Sequence, residues 1–260
     1  MKILLEALWV EALKIRRSKL LWITIIVVSF FAFVLGFLMF VLKNPEIARE
    51  YGLIAAKASI AGNADWPSLF RMLTMMTGAA GMIGFGFLAS WIFGREYVER
   101  TFKDLLAVPV SRYSIITAKF LVLGTWCILL AVLFLLLGFL AGMVVGLAGW
   151  SGQTIEQGII TYALTSSLTL LLVTVVAFFA SLGRGYLPPL AFMILTLLLA
   201  NVITLLGYGP YFPWAIPILA SGAGGKDAAQ VETASYIILF LTSIAGLAGT
   251  FAWWRFADQA

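Results

Sequence analysis

The residues that could carry chemistry are few, and their positions say more than their number. The chain has no histidine and a single cysteine, Cys127. That removes imidazole metal ligands, the usual proton shuttle and any intramolecular disulfide. Cys127 sits in an apolar run with no base beside it, so it reads as a small core residue rather than a nucleophile. A membrane-embedded protease or lipid hydrolase needs a base or metal ligands beside its nucleophile, and no such set is present. The glycine-rich stretch 222–227 lacks the spacing of a phosphate loop and the Ser or Thr after its lysine. The densest charge lies elsewhere: Arg95, Glu96, Glu99, Arg100, Lys103, Asp104 and Arg112 share one short segment. Opposite charges recur there at i,i+4 (Glu96/Arg100, Glu99/Lys103, Arg100/Asp104), which predicts a helix. Phe102, Leu105 and Leu106 give it an apolar edge, and Pro109 ends it. Such an edge suits a groove on another protein, and it equally suits a connector resting on lipid. The residues alone leave both readings open.

The elements that must hold this segment are membrane spans. Of 260 residues, 62% are hydrophobic and 11% charged, against about 25% charged in a soluble domain. Uncharged runs lie at 20–42, 72–94, 120–155, 157–183, 185–225 and 233–254, and a bilayer core needs roughly 20 apolar residues per helix. They lack the ten-residue alternation of barrel strands. The expected fold is therefore all-α integral membrane, a single domain over 1–260. Its six transmembrane helices are expected at about 20–42, 69–93, 117–146, 158–182, 187–206 and 233–254. An N-terminal interfacial helix precedes them over 1–19, with Leu4, Leu8, Ala12 and Ile15 on one face and Val10 and Leu13 off it. A charged overhang of the first span is the alternative. Glu6 and Glu11 interrupt the apolar residues of this stretch, so it does not read as a cleaved signal.

Of the 17 Lys and Arg residues, five (Lys43, Arg49, Lys57, Arg71 and Lys226) fall on one side of such a bundle and the other twelve on the N-terminal side. The positive-inside rule then puts both termini in the cytoplasm. Arg71 and Lys119 stand at span ends, where they are expected to snorkel. Asn44-Pro45-Glu46 starts an expected external helix running to about Ile60. The aromatic-proline stretch within 208–231 is expected to be an outer interfacial or re-entrant segment. Gly138, Gly142 and Gly146 form two overlapping GxxxG units, with Gly78, Gly81 and Gly84 on the second span and Ala245 and Gly249 on the sixth. Intrachain packing is the expectation for them, and a dimer seam the alternative. Thr165, Ser166, Ser167, Thr169, Thr174, Asn201 and Thr204 are expected to hydrogen-bond between helices.

Residues 94–112 resemble the first cytoplasmic loop of type-2 ABC-transporter permease subunits, nearest to the bacitracin-resistance and antimicrobial-peptide-immunity branch. Glu96, Thr101, Leu105, Leu106, Pro109, Val110, Ser111, Arg112 and Lys119 carry the match. Arg100 stands where that family usually has glycine, which puts a tight turn there in doubt. The stretch from Glu11 to Lys19 and the segment from Tyr211 to Pro217 match the family in layout. The resemblance implies a permease in a bacterial cytoplasmic (inner) membrane, working with a second permease copy or homologue on two copies of a cytoplasmic ABC ATPase subunit. It implies no nucleic-acid partner and no cofactor on this chain, with ATP and Mg on the ATPase. The 95–112 loop would be the coupling helix, with Glu96, Glu99, Thr101, Phe102, Leu105, Leu106, Pro109 and Arg112 as its contact set.

Two rivals differ in class. An ion-coupled secondary transporter places ionisable residues within its spans, and ion flux through the isolated chain would identify it. A non-transporting immunity protein would bind a partner without stimulating ATP hydrolysis. The weakly polar bundle favours an amphipathic or lipidic cargo, such as a peptide antibiotic or lipid-linked molecule. Met72, Met75, Met76 and Met82 are an adaptable apolar surface or, as the commoner case, ordinary packing.

Overall fold

A computed structural model describes residues 2–44, 46, 63–102, 110–222 and 230–256. Its elements are α1 (Lys2–Arg16), α2 (Lys19–Lys43), α3 (Trp66–Val98), α4 (Arg112–Val145), α5 (Gly152–Leu182), α6 (Leu187–Leu205), a 3₁₀ turn (Gly209–Tyr211), α7 (Ile216–Ala220) and α8 (Thr233–Phe256). Six of them, α2 to α6 and α8, are long and apolar enough to cross a membrane. The chain is thus an all-α, multi-pass membrane protein. The expected external helix over 45–60 lies outside the described residues, Glu46 apart, as do 223–229.

Helix ends follow from capping. Asp65 accepts from Ser68 N–H at the start of α3, Ser111 from Ser114 N–H at the start of α4, and Ser151 from Thr154 N–H at the start of α5. Helix α4 closes on Gly146 at φ 66, where the N–H of Leu147 reaches the Gly142 carbonyl. Lys43, the last residue of α2, donates to the carbonyls of Val145 (2.6 Å) and Gly146 (2.8 Å). Gly146 is therefore a cap rather than a packing position, and its neighbouring carbonyls bind a cation at the negative end of the helix dipole.

Helix α5 is the centre, packed against α8, α3, α6 and α7. Small residues set the approach distances within this one chain. A Cβ on Gly246 would lie 2.7 Å from the backbone of Val175, one on Gly138 2.6 Å from Leu73, and one on Gly142 2.7 Å from Leu69. Polar residues inside the spans differ from expectation. Ser166, Ser167, Thr169, Asn201 and Thr204 bond back to carbonyls four residues earlier in their own helices. Thr174 does cross, donating to the Ser243 carbonyl of α8 at 2.8 Å, whereas buried Thr165 Oγ1 finds no partner among the described residues. A helix offers each hydroxyl a carbonyl one turn back at no cost in packing, so the local bond wins.

Midway, α3 widens into a π turn, Thr77–Gly81. After α6 the chain returns along the bundle, and a Cβ on Gly78 would meet the backbone of Pro217 and Ile218 at 3.2–3.3 Å. Residues 213–217 are buried there, as irregular backbone beside lipid requires. Next to the π turn lies an apolar cavity of about 360 Å³ between α2, α3, α4 and α5, reached by Met76, Gly84, Phe134 and Tyr162. Met76 therefore faces a cavity, whereas Met82 is buried in the core.

Candidate functional site

The charged segment singled out by its spacing begins at the end of α3, and its first acid turns inward. Glu11 and Lys14 of α1, Glu96 of α3 and Lys119 of α4 meet in one buried cluster. Glu11 is 6% exposed, Glu96 3% and Lys119 0%. Lys119 lies eight residues beyond the Ser111 cap, about 12 Å along the helix axis. Its ammonium donates to Glu96 Oε1 (2.6 Å), the Ile92 carbonyl (2.7 Å) and Glu11 Oε2 (3.3 Å). All three of its protons are used. Lys14 donates to Glu11 Oε1 (2.6 Å) and Glu96 Oε1 (2.9 Å). Burial alone would push the Lys14 ammonium down, but Glu11 and Glu96 more than offset it and hold its pKa above the ordinary lysine value. Two cations and two carboxylates make the cluster neutral overall. Glu96 Oε2 is its one buried atom without a hydrogen-bond partner among the described residues.

This revises two expectations. Lys119 does not snorkel but sits inside the protein. Glu96, expected on an exposed docking helix, ties α1 and α4 to the end of α3. The predicted helix is also interrupted: α3 ends at Val98 and Arg100 takes φ 58. The Thr101 N–H reaches the Glu96 carbonyl at 3.0 Å and the Arg100 N–H the Tyr97 carbonyl at 3.3 Å, a left-handed helix stop. The tight turn thus forms with arginine in the glycine position. Glu99 pairs backward with Arg95 at 2.8 Å.

The rest of the segment is fastened at both ends to one residue that the sequence reading missed, Trp254 of α8. Phe102, 6% exposed, stacks on Tyr97 (centroids 4.4 Å apart) and meets the Trp254 ring edge-on at 5.1 Å. Arg112 donates to the Trp254 carbonyl at 2.9 Å, and the Trp254 indole donates to Ser181 of α5 at 3.0 Å. Phe102 and Arg112 thus grip the chain's own bundle. Glu99 and Thr101 are exposed, and Leu105, Leu106 and Pro109 lie outside the described residues. The run of aromatics Phe251, Trp253, Trp254 and Phe256 at the end of α8 was the available signal for Trp254, but nothing local says what it touches.

Such an arrangement holds helices together. It offers no reacting atoms, and no cluster of metal-ligating side chains occurs among the described residues. Comparison with known proteins agrees with a transport role. Residues 7–202 match the model of the family described as ABC-2 family transporter protein. The chain is also 30% identical, over 175 residues, to the bacitracin transport permease protein BCRB of Bacillus licheniformis, covering 67% of this chain and 83% of that one. No solved structure matches.

Proposed function

Because this chain belongs to the ABC-2 family of transporter proteins, in the bacitracin-permease branch, we propose that it is the passive half of an ATP-driven machine, gripped at its 95–112 loop by a separate ATPase. The observation that carries this reading is the double fastening of that loop. Glu96 joins its entry to α1 and α4, while Phe102 and Arg112 join both its ends to α8. A push on 103–109 would then move four helices together rather than deform a tether. In this reading Glu96, Phe102 and Arg112 brace the loop, and Glu99, Thr101, Leu105, Leu106 and Pro109 meet the partner.

The working unit is two permeases on two ATPase subunits that hold ATP and Mg, in the cytoplasmic membrane with both termini inside. The cargo is hydrophobic or amphipathic, of the size and chemistry of a peptide antibiotic or lipid-linked molecule. The apolar cavity beside the π turn supports that choice, since it presents no charged group to pair with an ionic substrate. Leu105→Asp with Leu106→Asp tests the grip. The double variant is expected to insert in the membrane normally and to lose co-purification with the ATPase; an intact complex would refute the assignment.

A further inference from the structure

A second basic site lies at the same end of the bundle and has no part in the ion cluster. Arg112 and Tyr113, in the first turn of α4, and Phe251 and Arg255, near the end of α8, surround a pocket of about 360 Å³ floored by Ile116. That volume is at the lower end of the roughly 300–1,000 Å³ typical of ligand sites. Each guanidinium is oriented by a neutral oxygen. Arg112 donates one N–H to the Trp254 carbonyl, and Arg255 donates one to the Tyr113 hydroxyl at 3.1 Å. Arginine has five N–H donors, so each guanidinium keeps donors beyond these bonds. The Tyr113 ring stacks on Phe251 at 5.7 Å, fixing the wall between them.

Charge separates this pocket from its neighbours. Lys14 and Lys119 are neutralised by Glu11 and Glu96, and Arg95 by Glu99. Among the described residues no carboxylate lines the Arg112–Arg255 pocket, and the first turn of α4, capped by Ser111, adds the positive end of a 34-residue helix. Two oriented guanidiniums that meet no carboxylate among the described residues, with a hydroxyl above an apolar floor, match an oxyanion carried on an apolar body. The pocket also lies where two membrane spans end. We propose that it binds the phosphate headgroup of an anionic phospholipid, with Ile116 and Phe251 against the first acyl carbons. The site fixes the ends of α4 and α8 to the leaflet beside the loop.

The test uses the full chain in detergent, without any ATPase, so its outcome is independent of the transport reading. Thermal unfolding and native mass spectrometry follow titration with phosphatidylglycerol, phosphatidylcholine or inorganic phosphate. Phosphatidylglycerol is expected to bind and raise Tm, and phosphatidylcholine to do neither. Arg255→Gln should weaken phosphatidylglycerol binding about fivefold, and Arg255→Lys, which keeps the charge and serves as the folding control, should weaken it less. Arg16→Gln with Arg17→Gln removes twice the charge from the same end and should weaken it less than Arg255→Gln does. Equal weakening by both sets means diffuse surface attraction and overturns the site. So does the absence of headgroup preference, and equal protection by inorganic phosphate assigns the pocket to a soluble anion instead.

Discussion

At the loop end of α3, Glu96 meets two lysines from two other helices, and every proton of Lys119 has an acceptor. About four to five turns toward the other end, around Thr77–Gly81, the same helix loosens into a π turn beside an apolar cavity of about 360 Å³. One region is polar, densely hydrogen-bonded apart from Glu96 Oε2, and joined to three elements at once. The other is apolar and underpacked, lined mainly by aliphatic and phenylalanine side chains with Met76, Gly81 and Gly84 among them. Interiors that are fully bonded move as a body, whereas voids and π turns leave side chains room to rearrange. A transporter needs both: a stiff place to receive force and a compliant place to accommodate cargo.

Breaking the stiff region should have the largest effect. Lys119→Met leaves Glu11 and Glu96 buried with one cation between them and is expected to lower stability by about 3–5 kcal/mol. Denaturant unfolding in detergent measures this, and Glu96→Gln in the Lys119→Met background should recover part of the loss, because it removes the unpaired charge. Equal losses with and without Glu96→Gln would mean that packing, not charge, sets the cost. The contrast between close and loose packing sharpens with one substitution made twice. Gly138→Ala forces a methyl group to within 2.6 Å of Leu73 and should destabilise by about 1–3 kcal/mol. Gly84→Ala meets nothing within 4 Å and should be neutral or stabilising by up to about 1 kcal/mol through helix propensity. The pair is read as the difference in Tm, and equal shifts would erase the distinction. Smallest of all is Arg100→Gly. It removes a left-handed penalty of about 1 kcal/mol at φ 58 but raises the entropy of the unfolded chain. A net gain below about 1 kcal/mol is expected from the unfolding midpoint.

Local rules predicted a continuous helix running into the loop, and the reason it breaks after Val98 is quantitative. Each exposed i,i+4 ion pair contributes about 0.2–0.5 kcal/mol, while leaving buried Lys119 without carboxylates costs several. Glu96 therefore turns inward, its pair with Arg100 is forgone, and the helix ends two residues later. Phe102 looked like a docking residue because an apolar side chain among charges has no local partner. Its partner, Trp254, is 152 positions away in the chain.

The sequence by itself determined that six helices cross a membrane, because lipid demands uninterrupted apolar runs of spanning length and charges mark their ends. It also carried the loop pattern that places the chain in its family. Only the tertiary structure decided that Glu11, Lys14, Glu96 and Lys119 form one neutral cluster and that Trp254 clasps both ends of the loop. In the cluster, side chains up to 108 residues apart share the same buried donors and acceptors, and Arg112 reaches a carbonyl 142 positions away. Burial multiplies the cost of a missing partner, so the pairing is fixed by the packed bundle rather than by spacing along the chain.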